Sequence, residues 1–120
     1  MGDYHHVRFA FRLPAPLLLL APRGLWQNTP RGCSLEVAGD GAVTVTSVDG
    51  HETYARDQVL RTATRFLRTL GLAGRHKGLG PDVIKAELSA PSCRQRPETW
   101  VISLGATVSI ACTRFRPMVA

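Results

Sequence analysis

Apolar and polar residues alternate near the start of the chain. Val7, Phe9, Phe11 and Leu13 are interleaved with His6, Arg8, Ala10 and Arg12. A period of two predicts a strand with one buried and one mostly polar face. Pro14-Ala15-Pro16 ends that ladder, because proline has no N–H to donate. Leu17 to Leu20 follow as a short apolar run between Pro16 and Pro22. The run predicts a second strand, buried on both faces and joined to the first by a proline corner. Residues 22–32, PRGLWQNTPRG, have the composition of a loop. Trp26 within it is expected to cover the edge of the core. Leu35 and Val37 then alternate with polar neighbours, as do Val43 and Val45 with Thr44 and Thr46. Gly39-Asp40-Gly41 lies between the two runs, so together they predict a β-hairpin that Asp49-Gly50 ends.

The period then changes. Val59, Leu60, Ala63, Phe66, Leu67 and Leu70 fall on one stripe of a 3.6-residue repeat and predict an amphipathic helix. Thr53 suits the N-cap, Asp57 suits the positive helix end, and Gly71 or Gly74 suits the stop. Val83 to Leu88 predict a further strand. Residues 90–97, APSCRQRP, read as a polar loop. From Thr99 to Phe115 Gly105 divides an apolar stretch, which is either a hairpin or one long strand with a bulge. The expected fold is therefore α+β: an antiparallel or mixed sheet of about five to seven strands with one main amphipathic helix (about residues 54–70) packed on one face. The 120 residues are expected to form a single domain, 1–120.

Charge adds a second layer. The chain carries a net charge of +6, and Lys77 and Lys85 are outnumbered by thirteen arginines. Arginine suits bidentate contacts with phosphate and carboxylate, though GC-rich coding produces the same bias without function. Cys33, Cys93 and Cys112 are odd in number and contain no C-x-x-C pair, so a reducing compartment such as the cytoplasm is the simpler expectation. Mitochondrial or secretory targeting stays open, because the first 32 residues hold four arginines and one acid. Leu17 to Ala21 is too short to span a bilayer, which takes about 20 apolar residues. No metal-ligand spacing is present, and neither a cofactor nor a catalytic residue is predicted.

The leading candidate site is the outer face of the helix. Arg61, Arg65 and Arg68 fall at i, i+4 and i+7, opposite the apolar stripe, and Arg75 and Lys77 follow. Such a row spans about 10 Å, comparable to one or two phosphate spacings. The competing reading is a solvated face with Asp57 and Arg61 paired at i, i+4. No aromatic residue accompanies the arginines for base stacking. Weaker candidates are the glycine-rich GRHKGLGPD (74–82), which lacks P-loop spacing and precedes a strand, and a cysteine paired in space with His51 or His76. In the latter, Cys93 could have a lowered pKa between its prolines and arginines, whereas Cys112 reads as core. His51 and Glu52 with Asp40 and Asp49 would make an acidic and imidazole cluster at one end of the sheet.

Three functions follow. The first is a non-catalytic binding module whose arginines contact RNA, single-stranded DNA or another polyanion. The second is a structural or interaction subunit, a homo-oligomer or part of a larger assembly, that adds a C-terminal strand to a partner; the apolar tail Pro117 to Ala120 favours it. The third is a small enzyme whose site is assembled across the sheet.

Overall fold

The computed structural model describes residues 5–21, 24–27, 29–49, 51–76, 82–93 and 96–113. In chain order these form β1 (His5–Arg12), α1 (Ala15–Leu18), β2 (Gly24–Leu25), β3 (Cys33–Val37), β4 (Ala42–Asp49), α2 (Glu52–His76), β5 (Asp82–Ser89), β6 (Glu98–Leu104) and β7 (Val108–Cys112). The strands make one seven-stranded sheet in the order β2-β3-β4-β1-β5-β6-β7. Every pairing is antiparallel. The fold is α+β, as the alternation and the single helical stripe predict.

Register explains the core. Leu35, Val45, Phe9 and Leu88 lie side by side across β3, β4, β1 and β5, and Val37, Val43, Phe11, Ala86 and Trp100 form the next row. Each of these strands turns alternate side chains toward α2, which lays Ala55, Val59, Ala63, Phe66, Leu67 and Leu70 on them. Burying a Phe or Leu side chain is worth about 1.5–3 kcal/mol, so this one contact layer supplies most of the driving force. Trp26 covers the edge of that layer, its ring edge-on to Phe66 at 5.3 Å between centroids. The β3–β4 hairpin turns at Gly41, whose φ of +92° suits glycine.

Several expectations require correction. Leu17 to Leu20 are not a strand. Pro14 caps the short helix α1, and its carbonyl accepts from both Leu17 and Leu18 N–H at 3.0 Å. Prolines fit a first helical turn because their missing N–H has no intrahelical partner to lose. Leucine also lacks the β-branch that would favour an extended chain. Only Leu17 of this turn enters the core, and Leu19 is 85% exposed.

The main helix is longer than 54–70. Ala55 N–H bonds to the His51 carbonyl, so Thr53 lies inside the first turn rather than capping it. Gly71 and Gly74 do not stop the helix, which continues to His76. A glycine costs a helix interior only about 1 kcal/mol relative to alanine. The flanking Leu70 is buried, and the extra turn lies along the β6–β7 connection. Gly105 opens that connection, so the C-terminal stretch is a hairpin. Cys112 is half-buried on β7, at the edge of the sheet, rather than in the core. The C-terminal tail 117–120 lies outside the described residues.

Candidate anion-binding groove and a buried polar clamp

Arg61, Arg65 and Arg68 come together. With Leu60, Thr64 and Ile110 they line an open groove of about 380 Å³ between α2 and the edge strand β7. A second hollow, of about 280 Å³, continues from Arg68 past Gly71 and Leu72 to the β6–β7 turn. The three arginines are exposed. Arg61 Nε bonds to Asp57 Oδ2 at 2.9 Å, the i, i+4 pair of the solvated-face reading. Exposed pairs of this kind hold their partners by less than about 1 kcal/mol, so an incoming anion can compete for Arg61. Among the described residues Arg65 and Arg68 have no carboxylate within ion-pair distance. The Thr64 hydroxyl is committed to the Leu60 carbonyl at 2.8 Å. Among the described residues none that line the groove is aromatic. Arg75 lies in the last turn of α2, and Lys77 lies outside the described residues.

The other candidates separate. Asp40 sits in the β3–β4 turn, at the opposite end of β4 from His51 and Glu52, so it cannot join the cluster expected there. Asp40 is committed to local structure. Its Oδ1 accepts from Ala42 N–H at 3.1 Å and its Oδ2 pairs with Arg12 at 3.2 Å, and these contacts hold its carboxyl below the ordinary aspartate range. Cys33 is buried, with its thiol 3.4 Å from Thr62 Oγ1. Burial pushes its pKa up more than that bond lowers it, which disfavours the reactive thiolate. Of the glycine-rich stretch, Gly74, Arg75 and His76 belong to α2, and residues 77–81 lie outside the described part. Among the described residues no group of three or more His, Cys, Asp or Glu side chains is placed to hold a metal. No described helix is long and apolar enough to cross a membrane.

Sequence reasoning missed one cluster. Glu98, at the start of β6, is 6% exposed and points toward α2. Its Oε1 accepts from Arg56 Nη2 at 2.7 Å and from Trp100 Nε1 at 3.2 Å, and its Oε2 accepts from the Cys93 thiol at 3.3 Å. Arg56 also lies 3.7 Å from Glu52 Oε2, which in turn accepts from the Ser92 hydroxyl. Burial alone would raise the Glu98 pKa. The bonds from Arg56, Cys93 and Trp100, with the Arg56 charge, outweigh it and hold the carboxyl below the ordinary glutamate range. Glu98 in turn raises the Arg56 pKa, against the opposing effect of burial. The network clamps the β5–β6 loop onto the first turns of α2. The alternation does carry a faint signal, since Glu98 takes an inward position of β6 beside Leu88.

A second polar pair lies deeper. Ser47 Oγ donates to Gln58 Oε1 at 2.6 Å, beneath the helix. Both are buried, and among the described residues no fully buried side-chain nitrogen or oxygen lacks a partner. Comparison with known proteins found no matching family model, no matching curated protein and no matching solved structure.

Proposed function

We propose that the protein is a small, non-catalytic binding module that holds a single-stranded nucleic acid along the groove between α2 and β7. The observation that carries this reading is the position of Arg65 and Arg68. Both are exposed on a rigid helix, beside a groove, without a carboxylate partner among the described residues. Arg61 to Arg68 span about 10 Å of helix axis, a reach that follows a phosphodiester backbone. With no aromatic among the described residues of the groove, affinity comes from phosphate contacts and carries little sequence preference.

The test is binding of a labelled single-stranded RNA across a salt series, beside the R61E/R65E/R68E variant. Three phosphate contacts on a single strand predict a log–log salt slope of about −2. The variant should lose binding and keep its circular dichroism spectrum. Absence of binding at low salt would remove this reading.

A second reading rests on β7, which among the described residues has a strand partner on one side only. A protein segment could add there as a further strand, with Val108 and Ile110 half-buried beside it. Such a complex should survive the salt that dissociates a nucleic acid.

A further inference from the structure

The face of the sheet turned away from α2 carries a second basic site, unrelated to the helix groove. Strand register builds it. On that face Arg8 lies directly between Thr46 of β4 and Ser89 of β5. His6 is two residues before Arg8 and therefore on the same face. The β5–β6 loop closes one side, bringing Arg96, Pro91, Pro97 and Cys93 to the rim. Together these residues line an open pocket of about 460 Å³, within the size range of small-molecule sites. Among the described residues no carboxylate lines it. The nearest acid along β5 on this face, Glu87, stands opposite Ala10, one row away. Among the described residues neither Arg8 nor Arg96 makes an ion pair.

The loop that forms this rim is held from behind. Cys93 lines the pocket and donates to the buried Glu98, and Ser92 donates to Glu52. These bonds hold the Ser92–Cys93 side of the rim in place before any ligand arrives, which lowers the entropic cost of binding. Residues bearing two guanidinium groups, an imidazole and two hydroxyls line one space from three strands and a loop. That donor set matches a compact oxyanion with several acceptor oxygens.

We infer that this pocket binds a phosphate group, as the free ion or carried on a small molecule. The experiment is a ¹⁵N chemical-shift titration of the intact protein with inorganic phosphate at constant ionic strength, with chloride as the control ion. Saturable shifts centred on His6, Arg8, Thr46, Ser89 and Arg96 are expected. R8Q and R96Q should each weaken the apparent affinity about tenfold, the usual scale for one charge-assisted bond. Both side chains are exposed, so the variants should fold, and the same spectra report it. R65E/R68E should leave phosphate binding unchanged even if it abolishes RNA binding, which separates this site from the helix groove. Non-saturating shifts, shifts that chloride reproduces, or shifts confined to the α2 groove would overturn the assignment.

Discussion

At the scale of single residues, the buried carboxylate of Glu98 is the most exacting position in the molecule. It gathers a guanidinium, an indole N–H and a thiol around two oxygens. Removing it leaves Arg56 in a half-buried setting without its strongest partner, so Glu98→Ala should cost about 2–3 kcal/mol in urea unfolding. The pH dependence has a definite sign. The folded pKa of Glu98 lies below its ordinary value, so folding favours the ionised form. That contribution is complete above the ordinary glutamate range, about pH 4.3, and is lost as pH falls through the lower folded value. Between neutral pH and about pH 3 the native protein should therefore lose more stability than Glu98→Gln. Equal losses would assign acid sensitivity to another group. Thiol chemistry should follow burial: Cys33, enclosed against Thr62, should react with a thiol reagent only on unfolding, after Cys93 and Cys112.

At the scale of elements, two short comparisons separate the observed structure from the pattern-based one. If Leu17 to Leu20 were a strand buried on both faces, each leucine would matter. In the observed turn Leu17→Ala should cost about 2–4 kcal/mol and Leu19→Ser almost nothing, as thermal unfolding would report. The second comparison is Gly71. As a left-handed helix stop it would resist alanine. Inside α2, with open space where a Cβ would sit, Gly71→Ala should stabilise by about 0.5–1 kcal/mol. The strands and the core of α2 were legible because one buried face imposes a period on the chain. Phe9, Phe11, Val43, Val45 and Phe66 all point inward as their spacing predicts. The helix ends were not legible, because tertiary contact overrides the weak stopping power of a single glycine. The clustering of Arg61, Arg65 and Arg68 could be read from i, i+4, i+7 spacing. The groove beside them could not, since it depends on β7 lying along α2. The clamp around Glu98 and the pocket around Arg8 were hidden for the same reason: both join residues far apart in sequence.

At the scale of the whole molecule, the domain is a slab with principal extents of 47 × 42 × 22 Å, one helix thick above a single sheet. The first strand in the chain is the central one. β1 bonds to β4 on one side and to β5 on the other, so it seams the N-terminal hairpin to the C-terminal strands. Neither half has a complete core without it, and unfolding should be one cooperative transition. Far-ultraviolet circular dichroism and Trp fluorescence should give the same midpoint, and Phe9→Ala should lower both together by about 3–5 kcal/mol of stability. β7 has a different consequence. An exposed strand edge invites a second copy to dock against it and start uncontrolled polymerisation. Here the edge runs beside Arg65 and Arg68, which have no carboxylate partner among the described residues, so two copies approaching edge to edge would bring these cations together. That repulsion works as a guard on colloidal stability, with a range set by the Debye length of about 8 Å at physiological ionic strength. Concentrated salt, or neutralising substitutions at these two arginines, should weaken the guard and leave a protein that stays folded but precipitates.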